Sequence, residues 1–166
     1  IHRMGQLYRV PVFETPVGFK HIAQVMLRED GLMGGEESGG FGFRGHIPER
    51  DGILCALYFL SLMVKTGKRP SELVEYLYSQ VGSHHYRRLD LSTRPQDQAR
   101  IHQVLKEADV KNIAGLTVID TDRVDGRRFI LPDAWITARL SGTEPLLRIY
   151  AEAESPEKVQ ALISDM

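Results

Sequence analysis

Residues 135–153 read WITARLSGTEPLLRIYAEA, and their pattern predicts two β-strands joined by a short loop. In residues 135–140 apolar side chains alternate with polar ones that include Arg139. Residues 146–153 repeat this alternation around Arg148. Successive side chains of a strand point to opposite faces, so both arginines leave the core face of their own strand. If the strands pair as a hairpin, the two arginines converge beside the loop.

The loop between these strands carries hydrogen-bond donors that suit phosphate. Ser141 and Thr143 supply hydroxyl groups, and the backbone N–H of Gly142 lies between them. The two arginines add planar guanidinium groups that bind phosphate oxygens bidentately. The alternative is a polar turn with solvated arginines, but so many donors within ten residues favour a phosphate-binding loop. Glu144 is an anion beside this loop, and we expect it to orient an arginine or to cap the loop.

The rest of the second half predicts a helix followed by closely spaced strands. The helix covers about residues 96–108, further strands cover residues 116–120 and 127–131, and a final helix begins at Ser155-Pro156. Short strands joined by turns such as Asp125-Gly126 are typical of an antiparallel sheet. We therefore predict an α+β domain at residues 83–166, formed by an antiparallel sheet with helices on one face.

The first half alternates predicted helices and strands. The predicted helices cover residues 18–29, 51–65 and 71–81. One predicted strand begins after Leu7, and a second covers residues 31–34. This alternation is typical of α/β layers. We predict an α/β domain with α/β/α layers and a mixed sheet at residues 1–82, so the domain boundary lies near Gly82.

A glycine-rich loop follows the predicted strand at residues 31–34, where ligands commonly bind in open α/β sheets. It contains Glu36 and Ser38, two positions apart. In an extended segment this spacing sends both side chains to one side, where a carboxylate and a hydroxyl could bind adjacent sugar hydroxyls. The alternative interpretation is a flexible, solvated acidic loop.

Two other groups of residues could in principle hold a metal ion. Residues 120–125 contain three aspartates, but such a segment is more typical of turns in which aspartates accept bonds from their own backbone. The pair His84-His85 has no neighbouring carboxylate or cysteine and is interpreted as a solvated linker. We therefore predict no metal site in this chain.

Composition excludes several classes of partner. Lysine and arginine total 21 against 22 acidic residues, so no overall field attracts nucleic acid or an anionic membrane. The apolar run at residues 53–64 is shorter than the roughly 20 residues that span a bilayer, and it predicts a core helix. The single Cys55 indicates a reducing compartment, and we expect a cytoplasmic protein.

With both loops described, the chain resembles the α-D-phosphohexomutase superfamily of phosphoglucomutases and phosphomannomutases over nearly its whole length. Residues 35–39 (GEESG) look like the sugar-recognition loop of the family, and residues 139–148 (RLSGTEPLLR) look like its phosphate-recognition loop. Residues 15–20 (TPVGFK) and 46–52 (HIPERDG) are similar to two further family segments. The resemblance is closest to the phosphoglucomutases. It implies most of the third domain followed by the fourth, with the N-terminal domains of the same protein missing.

The resemblance implies an isomerase that interconverts hexose 1-phosphate and hexose 6-phosphate, with glucose expected, through a phosphoserine enzyme and a bisphosphorylated intermediate. The implied cofactors of the full-length enzyme are Mg²⁺ and glucose 1,6-bisphosphate. The serine loop and the metal loop of the family do not occur in this sequence. The 166-residue chain alone is therefore expected to be inactive.

The resemblance also implies roles for individual residues. Glu36 and Ser38 bind the sugar, and Lys20 is a cation near the reacting phosphate. The non-reacting phosphate is bound by Arg139, Ser141, Gly142, Thr143 and Arg148. Two alternatives stay open: a phosphomannomutase or dual-specificity enzyme, and a phosphosugar-binding module without catalysis.

Overall fold

The computed structural model describes residues 1–166, which divide into a unit at Ile1–Val81 and a unit at Gly82–Met166. The elements of the first unit are α1 (His2–Tyr8), α2 (Phe19–Arg28), β1 (Met33–Gly35), β2 (Phe41–Phe43), α3 (Gly52–Thr66) and α4 (Pro70–Val81). Those of the second are β3 (His85–Ser92), a 3₁₀ turn (Pro95–Asp97), α5 (Gln98–Glu107), β4 (Asn112–Ile113), β5 (Leu116–Thr117), β6 (Asp120–Asp122), β7 (Arg127–Leu131), β8 (Ala134–Leu140), β9 (Leu146–Ala153) and α6 (Pro156–Asp165).

The second unit contains a five-stranded antiparallel sheet in the order β3-β9-β8-β7-β6. The hairpin expected from residues 135–153 is its β8–β9 pair, and the register places Arg139 directly opposite Arg148. The predicted α+β class is confirmed. The strand expected at residues 116–120 is divided, because Leu116–Thr117 pairs with β4 whereas Asp120–Asp122 pairs with β7.

One face of this sheet forms the core of the second unit. Alternate residues of β7, β8 and β9 are buried there against α6, among them Phe129, Ile136 and Ala151. Helix α6 begins as predicted, since the Ser155 side chain accepts a hydrogen bond from the N–H of Lys158. The opposite face carries the intervening polar and aromatic side chains, including both arginines.

Strand β3 corrects the interpretation of His84-His85 as a solvated linker. His85 starts an eight-residue strand that pairs with β9 along its whole length. The His84 ring lies 3.0 Å from a carboxylate oxygen of Glu152. The strand was missed because only two of its eight residues, Leu89 and Leu91, are aliphatic, too few for alternation to be recognised. Such weak patterning is typical of an edge strand.

The first unit confirms the predicted α/β class and all three predicted helices, with boundaries shifted by at most one residue. Its strands differ from the expected mixed sheet, because β1 and β2 pair as an antiparallel ribbon. A five-residue loop joins them, and a parallel pair would need a crossover of about a dozen residues. The strand expected after Leu7 is absent, because residues 10–16 form no ladder with a neighbouring strand.

Helix α3 begins within one residue of the predicted start, but the core position that its sequence predicts is not formed within this chain. The Asp51 carboxylate accepts a hydrogen bond of 2.9 Å from the N–H of Leu54, which together with His46 lowers the pKa of Asp51. None of the helix residues is buried. A helix that is apolar all round requires cover on several sides, and the two-stranded ribbon supplies little. No helix of the structure has the length and apolarity required to cross a membrane.

The burial pattern predicts how the stability of the second unit depends on two leucines. Leu162 is 0% exposed and Leu91 is 41% exposed. We expect Leu162→Ala to lower the free energy of unfolding by about 2–5 kcal/mol, because it leaves a cavity in the core. Leu91→Ala is the matched control and should cost less than about 1 kcal/mol. Urea unfolding of both variants measures the difference, and equal losses would contradict this assignment of the core.

Candidate functional site

The loop between β8 and β9 is a tight turn whose tip is open. The N–H of Ser141 donates to the Leu146 carbonyl at 2.8 Å, which closes the loop at its base. A Cβ built on Gly142 meets no atom within 4 Å, so this part of the loop is accessible to a ligand. The N–H of Thr93, just beyond β3, donates to the Pro145 carbonyl at 2.8 Å. The loop is therefore fixed both at its own base and to the segment that follows β3.

Arg139 is held by two acceptors from other parts of the second unit. Its Nε lies 3.2 Å from Oδ2 of Asp125, and its Nη2 donates a 3.0 Å hydrogen bond to the Tyr150 hydroxyl. The guanidinium carbon also lies 5.8 Å from the centre of the Tyr150 ring, within the range of a cation–π contact. Only 13% of the side chain is exposed, so these contacts fix the direction of its donors.

Arg148 is held less completely than Arg139. Its Nη2 donates to Oε2 of Glu144 at 2.8 Å, so Glu144 contacts one of the two arginines of the loop. Its Nε lies 3.9 Å from Oδ2 of Asp90, too far for a hydrogen bond, and has no other hydrogen-bond partner although it is buried. Asp90 in turn accepts two bonds of 2.6 Å from Arg88.

The pKa of Asp90 is lowered, first by its hydrogen bond to Arg88 and then by the positive charges of Arg88, Arg148 and Arg139. Folding thus favours the ionised carboxylate. The stabilisation is complete above the ordinary pKa of 3.8 and is lost as the pH falls through the lowered value. Asp90 therefore remains an anion throughout the neutral range.

Unsatisfied buried donors concentrate around this loop. Four buried side-chain polar atoms lack a hydrogen-bond partner, and three of them are Ser141 Oγ, Thr93 Oγ1 and Arg148 Nε. A buried polar group without a partner costs about 1–3 kcal/mol, so such groups are rare unless a ligand or water satisfies them. Two hydroxyls and a guanidinium fit an oxyanion ligand such as phosphate. Thr93 was not predicted, because it follows the strand that the sequence pattern failed to reveal.

A cavity of about 370 Å³ adjoins Arg139. Its polar lining includes the cations Lys106 of α5 and Arg123 of the turn after β6, together with His102. The Nη2 of Arg123 donates to the Lys106 carbonyl at 3.0 Å, which ties that turn to the helix. The cavity extends the positive surroundings of Arg139 beyond the loop itself.

The turn interpretation of residues 120–125 is confirmed only in part: aspartates accept bonds from their own backbone, but Asp120–Asp122 forms strand β6 and the turn begins after it. Asp120 Oδ1 accepts from the N–H of Thr121 at 2.7 Å, and Asp122 Oδ1 accepts from the N–H of Val124 at 3.2 Å. Asp122 is also paired with Arg128, as Asp125 is with Arg139. No group of three or more metal-ligating side chains is arranged to hold a metal ion.

The loop after β1 differs from the extended segment that the spacing of Glu36 and Ser38 assumed. Residues 37–38 form a turn that the N–H of Gly39 closes by donating to the Glu36 carbonyl at 3.0 Å. The Glu36 side chain is 14% exposed, whereas Ser38 is exposed on the turn. The argument that both side chains share one side is therefore wrong, although both residues lie on the predicted loop.

Glu36 contacts a cation that the sequence pattern did not identify. Its Oε2 accepts a 3.1 Å hydrogen bond from Arg50, whose guanidinium also lies 5.8 Å from the centre of the Phe19 ring. A Cβ at position 40 would lie 2.5 Å from Arg50 Cδ, so Gly40 leaves the room that this pair needs. Lys20 is exposed on the first turn of α2, where its side chain makes no hydrogen bond or ion pair with Glu36.

Residues 1–81 match the family "Phosphoglucomutase/phosphomannomutase, alpha/beta/alpha domain III". Residues 93–166 match the family "Phosphoglucomutase/phosphomannomutase, C-terminal domain". The chain belongs to this family of phosphohexomutases, and it consists of the third and the C-terminal domain. The resemblance seen in the sequence is thereby confirmed.

Similar proteins carry several names within the superfamily. The chain is 34% identical over 151 residues to a phosphoglucomutase/phosphomannomutase of Thermococcus kodakarensis, a match of 90% of this chain and 30% of the relative. It is 35% identical over 163 residues to a phosphoglucosamine mutase of Limosilactobacillus reuteri, covering 98% of this chain and 32% of that protein. The chain thus spans about a third of the length of these curated relatives.

A solved structure supports the same assignment. The crystal structure of a putative phosphomannomutase from Thermus thermophilus is 38% identical to this chain and superposes with a TM-score of 0.79. The match covers 99% of this chain and 32% of that one.

The contacts of Glu144 predict that it competes with a bound anion. Its carboxylate occupies Nη2 of Arg148 and is 56% exposed, so phosphate could displace it without burying a charge. We expect Glu144→Gln to bind inorganic phosphate about two- to fivefold more tightly, the range of an exposed ion pair. Titration calorimetry at low ionic strength measures this change.

Glu154→Gln is the matched control for this experiment. Glu154 forms an ion pair with Lys158 four residues later, as Glu144 does with Arg148, and is 52% exposed. The control should leave phosphate affinity unchanged. Weaker phosphate binding in Glu144→Gln would contradict competition and would assign Glu144 to holding Arg148 in place.

Proposed function

We propose that this chain is the substrate-binding C-terminal part of a phosphohexomutase that interconverts hexose 1-phosphate and hexose 6-phosphate. In this proposal the full-length enzyme is an isomerase that transfers phosphate by way of a phosphoserine and a bisphosphorylated sugar. Mg²⁺ and glucose 1,6-bisphosphate are its proposed cofactors, and N-terminal domains of the same protein supply the serine and the metal loop. Membership of the family supports the reaction class.

The observation that carries the proposal is the cluster of donors at the β8–β9 loop. Arg139 and Arg148 lie directly opposite each other, and the buried Ser141 hydroxyl beside them lacks a partner. We assign these three residues, with Gly142 and Thr143, to the non-reacting phosphate. In this proposal these five residues position the substrate for the reaction. Positioning contributes to catalysis because phosphoryl transfer depends largely on fixed geometry and electrostatic stabilisation.

The first unit is assigned to the sugar. Glu36 is held in place by Arg50, and its second carboxylate oxygen remains an acceptor for a sugar hydroxyl. Ser38 on the exposed turn is a second hydroxyl contact, and Lys20 is assigned to the neighbourhood of the reacting phosphate. Glucose is the proposed sugar, because residues 15–20 and 46–52 are most similar to phosphoglucomutase segments.

Glucosamine is the second candidate sugar, because relatives named phosphoglucosamine mutase are 30–35% identical to this chain. Mannose specificity and dual specificity are further candidates from the phosphomannomutase relatives. Comparing kcat/KM of the full-length enzyme for the glucose, mannose and glucosamine phosphates decides among these sugars. The highest value for glucose 1-phosphate would support the proposal.

If the β8–β9 loop binds phosphate and the loop that contains Glu36 binds the sugar, a variant in each loop should have a different effect on ligand affinity. Arg148→Ala in the full-length enzyme should weaken inorganic phosphate and phosphosugar alike by about 1.5–3 kcal/mol, or roughly ten- to a hundredfold, because a charge-assisted interaction is lost. Glu36→Ala should weaken phosphosugar but leave inorganic phosphate unchanged or slightly tighter, since it removes an anion and no donor. Titration calorimetry with both ligands measures all four affinities.

Arg69→Ala serves as the control for Arg148→Ala, because Arg69 of the first unit is 78% exposed and pairs with Glu72, outside the proposed phosphate loop. Equal losses of phosphate affinity in Glu36→Ala and Arg148→Ala would show that separate sugar and phosphate loops are a wrong assignment.

The proposal also predicts that the 166-residue chain has no mutase activity by itself. Positioning groups cannot replace a nucleophile that the chain lacks. The assay is conversion of glucose 1-phosphate with Mg²⁺ and glucose 1,6-bisphosphate. Turnover that persists through purification and disappears in Arg148→Ala would instead place a complete catalytic centre in this chain.

A further inference from the structure

Three charged side chains lie side by side at the end of the sheet that adjoins the phosphate loop. The register places Asp90 of β3 opposite Arg148 of β9, and Arg148 opposite Arg139 of β8. Opposing residues on neighbouring strands point to the same face. Asp90 is thus the next residue in the row that contains both proposed phosphate-binding arginines.

The two guanidinium groups are held in the same pattern, with one contact missing. Arg139 has a carboxylate beside Nε, Asp125 at 3.2 Å, and a second acceptor at Nη2. Arg148 also has a carboxylate beside Nε and a second acceptor at Nη2, but here Asp90 lies 3.9 Å away and no hydrogen bond forms. Nε of Arg148 is buried and has no hydrogen-bond partner within the chain.

Asp90 is better fixed than the other carboxylate near Arg148. Two bonds of 2.6 Å from Arg88 hold both of its oxygens, and it lies within the β3–β9 ladder. Glu144 lies on the loop itself and is more exposed, at 56% against 31% for Asp90. An arriving phosphate can therefore displace Glu144 while Asp90 stays in place.

We propose that Asp90 is a positioning residue that accepts the Nε–H of Arg148 when phosphate binds and directs the two terminal nitrogens of that guanidinium towards the anion. The inference rests on the proposed role of Arg148 in phosphate binding. Closing the present gap requires a movement of about one ångström, which brings the pair to ordinary hydrogen-bond length. The lowered pKa of Asp90 supports this role, because the carboxylate is ionised at neutral pH.

The test depends on the sign of an affinity change. Replacing an anion by a neutral group near a phosphate should tighten binding if Asp90 acts only through its charge. If Asp90 positions Arg148, Asp90→Asn should instead weaken binding of inorganic phosphate by about fivefold, as a charge-assisted hydrogen bond becomes a neutral one. We expect this loss to vanish in the Arg148→Ala background, because the effect passes through that side chain. Titration calorimetry of the four proteins completes the cycle.

Asp97→Asn is the matched control, because Asp97 also accepts two bonds from an arginine and is 33% exposed. It should leave phosphate affinity unchanged. Unchanged or tighter phosphate binding in Asp90→Asn would overturn the inference, as would an equal loss with and without Arg148. If Arg148→Ala itself binds phosphate normally, the proposed phosphate loop fails and this inference fails with it.

A measurement on the unmodified chain keeps the inference testable should Asp90→Asn fail to fold. The ¹⁵N–¹H signal of Arg148 Nε should move and its proton exchange should slow when inorganic phosphate is added, because a new hydrogen bond forms. An Nε signal that stays unchanged while the backbone signals of residues 141–143 respond to phosphate would overturn the proposed role of Asp90.

Discussion

Arg139 and Arg148 face each other across an antiparallel strand pair, so their positive charges repel. Their side chains are only 13% and 18% exposed to solvent. Such a pair is tolerated only when acceptors surround it. The second unit supplies them from separate places in the chain: the β6–β7 turn, the β8–β9 loop and strands β3 and β9. The environment of the pair thus depends on the pairing of the whole sheet.

The same register also determines the core. Arg148 and Tyr150 point to one face of β9 because Ile149 and Ala151 are buried on the other. A slip of one residue would bury a guanidinium and expose an apolar side chain, so the core excludes this error strongly. The burial of apolar residues on one face of the sheet therefore determines that the arginines point to the other face. The buried residues do this without contacting a ligand themselves. Fold stability and site geometry are here two consequences of one strand pairing.

The sequence reveals those parts of this arrangement in which alternation is strong. Strand β9 could be placed to the residue because apolar residues occupy alternate positions from Leu147 to Ala153, and β7 because three consecutive apolar residues follow the Asp125-Gly126 turn. Strand β3 could not, since an edge strand with two aliphatic residues resembles a polar linker, and with it Asp90 and Thr93 were missed as neighbours of the loop. The Glu36 loop was found from composition, but its turn depends on a backbone hydrogen bond that composition does not specify. Arg50 was missed because it reaches Glu36 from fourteen residues away.

Both candidate loops hold their charged groups in internal ion pairs. In the second unit Glu144 and the two aspartates neutralise arginines, and in the first Arg50 neutralises Glu36. These ion pairs allow the charged side chains of both loops to be partly buried in the folded chain, because an unpaired buried charge is strongly destabilising. If these loops bind the ligands proposed for them, a ligand must replace an internal partner before it gains the same contact. On the proposed assignment, phosphate affinity depends on how much better phosphate than Glu144 interacts with the arginines, and the several oxygens of phosphate can contact both arginines and a hydroxyl at once.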